Sequence, residues 1–131
     1  MKNFKLLTMI LALGLLFGAC KKEEKDVRED YLGTYRVTEK EIGYYDVTYN
    51  MSITKSTANK NDIVITGLLG YPALAAIAQV TDNSFNIPLQ NYDDYGYNGY
   101  GRKNGINITI SIQLSQTGYA PRNLTLDCVK L

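Results

Sequence analysis

The sequence predicts an all-β protein whose body is a single small antiparallel up-and-down barrel of about eight strands. Three observations lead there. From Tyr31 onward, apolar and polar residues alternate with period two almost everywhere, the repeat of a strand with one buried face. The breaks between these runs carry turn residues, with Asn104-Gly105 the plainest hairpin signal. Strands that each have one apolar face must join those faces in a sandwich or close into a barrel, and closure alone removes the exposed edges. Eight strands enclose an interior that side chains nearly fill, or that holds one small ligand.

The chain begins with a different kind of segment. Lys2 and Lys5 precede an apolar run over residues 6–17, and the small residues Gly18 and Ala19 follow it. Basic, then apolar, then small is the layout of a secretory signal peptide, so residues 1–19 are expected to be removed. The run is shorter than the roughly 20 apolar residues that cross a bilayer, and the charges after it are of mixed sign. Cys20, set directly after the small residues, resembles the lipobox of bacterial lipoproteins, with Phe17 where Leu is usual. The resemblance implies that Cys20 is acylated by palmitate-type chains, becomes the first residue of the mature protein and ties it to a membrane. Residues 21–30 carry four basic and five acidic side chains and almost nothing apolar. Such a stretch cannot offset its ordering entropy, so residues 20–30 are expected to form a mobile tether, in which the ten residues 21–30 reach about 33–36 Å when extended. That charged run resembles the surface-export tether of Bacteroidota lipoproteins. The implied place is the cell envelope, lipid-anchored to the outer membrane and facing the periplasm or the cell surface.

The domain itself is expected over residues 31–131. Tyr31, Gly33, Tyr35 and Val37 share one face of a first strand. Tyr45, Val47, Tyr49, Met51 and Ile53 alternate with polar residues in a second. Residues 56–61 are turn-like, and Ile63 to Ile65 start a third strand that fades at Gly67. Residues 68–78 are ambiguous: the alanines and Pro72 favour a helix start, while the apolar content suits a buried strand. A turn or short helix near 69–76 and a strand over 77–81 are expected. Phe85, Ile87 and Leu89 make a fifth strand, which Pro88 marks as short or edge-like. Tyr95 and Tyr97 open a sixth, where a slip in phase before Tyr100 places a bulge at Gly99. Ile106, Ile108, Ile110, Ile112 and Leu114 form a seventh. After a loop over 115–122, Leu124, Leu126 and Cys128 share a face of the last.

Within this frame Gly33-Thr34-Tyr35 resembles the Gly-x-Trp that opens lipocalin-like barrels, with Tyr for Trp. Arg122 stands just before the last strand, where such barrels often carry an Arg that covers that ring. Together with the anchor and tether, the body resembles the small lipocalin-like lipoproteins of Bacteroidota. It is much shorter than a full lipocalin and has neither a C-terminal helix nor Thr-Asp-Tyr. The resemblance implies a calycin-type barrel and a ligand held at its mouth.

Composition narrows the chemistry. The body has eight basic and eight acidic side chains, so it offers no basic face to nucleic acid. Histidine is absent, which removes the usual general base, the commonest transition-metal ligand, and every nucleophile pair built on His. Asp93 and Asp94 are the only adjacent carboxylates in the body, and neighbours on a strand point to opposite faces. With Asn98 they supply oxygens but no complete calcium set, and turn formation explains them as well. No catalytic residue, cofactor or metal is expected, and no enzyme. Cys128 lacks a partner if Cys20 is acylated, and in phase with two leucines it should pack as a small hydrophobe. The unusual local composition is residues 92–100, where Tyr92, Tyr95, Tyr97 and Tyr100 are interleaved with glycines. Each offers an apolar ring with a polar tip, and these four are the candidate ligand-binding rim. The expected function is a non-enzymatic envelope lipoprotein binding a small apolar or amphipathic ligand in the barrel mouth. The alternative is a filled barrel whose surface binds another envelope protein. Large inward residues (Tyr45, Tyr49, Met51, Ile108, Ile110, Ile112) favour the filled barrel, and the alanines of 68–78 favour room.

Overall fold

Eight strands follow the alternation of the chain in the computed structural model, which describes residues 22–131. They are β1 (Gly33–Lys40), β2 (Val47–Lys55), β3 (Asp62–Thr66), β4 (Ala75–Val80), β5 (Ser84–Tyr92), β6 (Tyr95–Asn104), β7 (Asn107–Gln116) and β8 (Arg122–Lys130). Each pairs antiparallel with its neighbours in sequence, and β1 pairs with β8 to close the barrel. The expected signal segment and Cys20 lie outside the described residues.

Register turns the period-two pattern into rows across the interior. Ile108 faces Cys128, Ile110 faces Leu126 and Ile112 faces Leu124, all buried. Cys128 packs as the small hydrophobe its phase suggests, and burial pushes its thiol up to about 12. The inward alanines Ala76 and Ala78 sit in the same core as bulky neighbours. Phe85 offsets such small residues: its ring lies over Gly101, where a Cβ would come within 2.1 Å of the ring. Large beside small is how a narrow barrel fills.

One end is closed by a 3-10 helix over Val27–Tyr31. The Asp26 carboxylate caps it, accepting from the Arg28 N–H at 3.1 Å and from the guanidinium at 3.0 and 2.8 Å. The other arm of Arg28 donates to the carbonyls of Ser56, Asn59 and Asp62 at 3.2–3.4 Å. Tyr31 packs edge-on against Phe85 with 5.6 Å between ring centroids, and the Tyr35 hydroxyl donates to the Tyr31 carbonyl at 2.8 Å. Burial pushes both phenols up to about 12. The domain therefore starts earlier than the expected boundary at Tyr31: the last residues of the expected tether, from Asp26, fold onto the barrel end as the cap and first turns of this helix. The charged composition suggested mobility, but Arg28 finds its acceptors about thirty residues away in sequence, where composition cannot show them.

Other expectations shift for equally local reasons. The bulge lies on β5, not at Gly99: Pro88 and Leu89 stand between the pairs Ile87↔Gly99 and Gln90↔Tyr97, where β6 has only Asn98. Proline lacks the N–H a ladder needs, so it suits the bulge, and Leu89 slips outward to 67% exposure. Because of the bulge, β4 and β5 pair only at Gln79↔Asn86 and Val80↔Phe85. The Gln90 carboxamide bridges the gap, accepting from the Ile77 N–H at 2.9 Å and donating to the Ile77 carbonyl at 2.8 Å. The ambiguous stretch resolves into a short 3-10 turn at Leu68–Gly70 and β4 starting at Ala75, two residues earlier than expected. Ile106 leaves the seventh strand for the hairpin turn, where Gly105 supplies the positive φ of 64°.

Candidate functional site: the barrel mouth

The end opposite the 3-10 helix is formed by the loops 41–46, 67–74, 93–94 and 117–121. Tyr92 and Tyr95 are the last and first residues of β5 and β6, paired across a two-residue turn of Asp93 and Asp94. Asp93 takes a positive φ of 50°, a conformation that Asp tolerates, so turn geometry accounts for both acids. Among the described residues no group of three or more His, Cys, Asp or Glu is placed to hold a metal.

Tyr92, Tyr95 and Tyr97 converge with Leu69, Leu74 and Leu114 around a void of about 50 Å³ in the mouth. Tyr71 comes from the β3–β4 loop and meets Tyr92 at 5.4 Å between ring centroids. An open cleft of about 440 Å³ continues from the void, sharing Tyr95, Leu114 and Arg122 and adding Tyr44 and Tyr119. Tyr100 does not belong here. Its phase on β6 opposes that of Tyr97, so it stands on the outer wall, 43% exposed, with the Arg102 guanidinium 6.0 Å from its ring. The expected rim thus corrects to three tyrosines of the four.

One charged pair belongs to the mouth. Arg122 grips Glu41 with both arms, Nε to Oε1 at 2.8 Å and the second between a terminal nitrogen and Oε2. The Glu41 side chain is only 12% exposed, and the guanidinium holds its carboxyl below the usual range. Glu41 in turn raises the Arg122 pKa. The Arg122 guanidinium also lies 5.5 Å from the centroid of the Tyr44 ring. The expectation that Arg122 covers the first-strand aromatic is therefore corrected. Lys130 takes that place, with its Nζ 6.0 Å from the Tyr35 ring. Gly33 makes this possible: a Cβ there would come within 2.9 Å of the Lys130 Cε. Beside this wall, Tyr49 donates to the Glu39 carboxylate at 3.0 Å, and burial, aided by that carboxylate, raises its phenol well above the ordinary value.

The β1–β2 loop adds residues that sequence reasoning misplaced. Tyr45 was expected inside, but pairing ends at Glu39↔Val47 and the loop carries it out to 97% exposure, beside Ile42 at 99%. An exposed Ile and Tyr in a loop bounded by Glu41 and Asp46 was the signal available; its regular alternation concealed it.

No protein-family model matches the chain, and no curated protein matches it either. Two solved structures are similar. One is EF1p2_mFAP2b bound to DFHBI, at 14% identity and TM-score 0.57, covering 82% of this chain and 100% of that one. The other is a redesigned beta barrel, b11L5F_LGL, at 10% identity and TM-score 0.54, covering 81% and 96%. At these identities the likeness is one of fold. The class it defines is a small closed eight-stranded antiparallel up-and-down barrel.

Proposed function

We propose that the protein is a non-enzymatic, lipid-anchored envelope protein that binds a small amphipathic ligand across its barrel mouth. The observation that carries this is the convergence of Tyr71, Tyr92, Tyr95 and Tyr97 with Arg122 around one concave end. Rings supply apolar contact, while hydroxyls and the Arg122–Glu41 pair fix orientation. The 50 Å³ void is far below the roughly 300–1,000 Å³ of an enclosing ligand pocket, so only the tip of a ligand enters. The remainder lies in the open cleft beside it. The likeness to a barrel bound to DFHBI supports a small molecule as the occupant class.

The anchor reading fits this polarity. The chain enters the barrel at its closed end, so an acylated Cys20 in the outer membrane leaves the mouth pointing away from the lipid. Replacing Cys20 by Ala is expected to leave the precursor unacylated; an unchanged lipid-bearing product would sink the anchor.

Native mass spectrometry after exposure to an envelope extract tests the mouth. The expected result is a reproducible added mass, lost on denaturation and lost in Tyr95→Ala. A bare protein mass at every extract concentration refutes ligand binding. One observation favours the second reading, a partner envelope protein: Ile42 and Tyr45 project from the mouth end almost fully exposed. A photo-cross-linker at position 45 that captures one defined protein, with no added small-molecule mass, would select that reading.

A further inference from the structure

The outer wall of the barrel carries a second feature, independent of the mouth. On the outward face of β6, β7 and β8, Asn98, Gln113 and Asn123 stand directly across from one another. In the next row toward the closed end, Asn86, Tyr100, Ser111 and Thr125 are aligned across four strands. Together they line a shallow depression of about 540 Å³. Rows two residues apart are separated by about 7 Å, and four strands span about 14 Å, the footprint of a short chain-like ligand.

The chemistry of this face is specific. It holds four carboxamides, two aliphatic hydroxyls and one half-exposed tyrosine ring, and no acid or base. The side-chain hydrogen bonds of the described residues fall at the closed end, at the seam bridged by Gln90, at the mouth and elsewhere on the wall; none engages this set. Charges begin one row further down, where Arg102 and Asp127 flank Thr109, and Asp127 is already taken by Lys40 at 2.7 Å. A cationic partner would find no counter-charge here, an anionic one only Arg102 at the edge of the face, 6.0 Å from the Tyr100 ring, and an apolar one would strand the carboxamides without partners. Carboxamides both donate and accept, as hydroxyl-rich ligands require, and a tyrosine ring offers a flat apolar surface to the C–H face of a sugar.

We propose that this face is a binding site for a neutral oligosaccharide, with Tyr100 as the stacking platform and Asn98, Gln113 and Asn123 as the hydroxyl-reading row.

The test is NMR on the full chain in lauryldimethylamine-oxide micelles, with maltohexaose, cellohexaose, mannohexaose and chitohexaose as probes. Saturation transfer to at least one sugar is expected, with amide shifts at 98–100, 111–113 and 123–125. Tyr100→Ala should weaken binding about tenfold, the loss of one aromatic contact. Gln113→Glu, which keeps size but adds charge, should weaken it as well, while Thr48→Ala on the opposite wall leaves it unchanged. Absence of transfer to any of the four sugars at millimolar concentration overturns the proposal. So does binding that Tyr100→Ala leaves intact, or sugar-induced shifts at Tyr95 and Tyr97 instead. Shifts on this face that follow protein concentration rather than sugar would make it a contact between copies, and overturn the proposal too.

Discussion

Gln90 holds the barrel where its ladder breaks, and Gln90→Ala should show how much that bridge contributes. The carboxamide makes paired bonds to Ile77 at 2.9 and 2.8 Å, in place of the backbone partner that the bulge carries away, and a weaker one to the Pro88 carbonyl at 3.2 Å. A hydrogen bond is worth about 0.5–1.5 kcal/mol net, so the pair amounts to about 1–3 kcal/mol. Ile77 is 45% exposed, so water can partly replace the lost partner and the lower half of that range applies. For a domain of this size about 1–2 kcal/mol corresponds to a midpoint lowered by roughly 4–16 °C. Urea denaturation followed by far-UV circular dichroism should show a lower midpoint at unchanged slope, and hydrogen exchange at the Ile77 amide should accelerate. Gln90→Glu sharpens the test: the ionised carboxylate keeps the bond from the N–H but faces the Ile77 carbonyl without a proton. Its loss at neutral pH should shrink when the carboxyl is protonated. A Gln90→Ala stability change within about 0.5 kcal/mol, the scatter of neutral surface substitutions, with Ile77 exchange unaltered, would refute the bridging role.

Gly101→Ala should be among the most damaging single-methyl additions, because Phe85 ring atoms lie 2.1–2.4 Å from the added carbon. Overpacking of this kind costs about 1–3 kcal/mol, read by the same denaturation curve. Cys128, buried and with its thiol pushed up to about 12, should resist a disulfide reagent at pH 8 until urea unfolds the barrel; rapid labelling of the native protein would contradict its packing. Asp26, Asp30 and Glu41 are all held below the usual carboxylate range by their basic partners. Their folded pKa values lie below the unfolded ones, so their contribution is present above about pH 4 and is lost as pH falls through the folded values. A thermal midpoint that declines below about pH 4, less steeply in Asp26→Asn, is the expected profile.

Much of this architecture was legible because alternation is local. Whether a side chain on a strand faces in or out depends only on its parity, so the inward sets of β1, β7 and β8 could be read directly. The last strand's Leu124, Leu126 and Cys128 are buried as that parity requires. Parity fails where pairing stops or slips, since both depend on a second strand. Tyr45 continues the parity of β2 but lies beyond the last pair with β1. Tyr100 was expected after a phase slip on β6, but β6 keeps an unbroken register with β7, so continued parity turns it outward; the slip lies on β5 beside Pro88.

The mouth divides in the same way. Tyr92, Tyr95 and Tyr97 were marked by composition, while Tyr71, Tyr44 and Glu41 join them only through loops that closure brings to one end. By itself the sequence determined an all-β domain, its strand faces, its hairpin turns and the tyrosine-rich segment, because each is set by residues within a few positions of one another. Only the tertiary structure decided that Arg28 plugs the far end, that Lys130 rather than Arg122 covers Tyr35, and that the mouth retains a void of about 50 Å³. Those outcomes are sums over side chains distant in sequence, and volume and hydrogen-bond partners are settled only when the barrel closes.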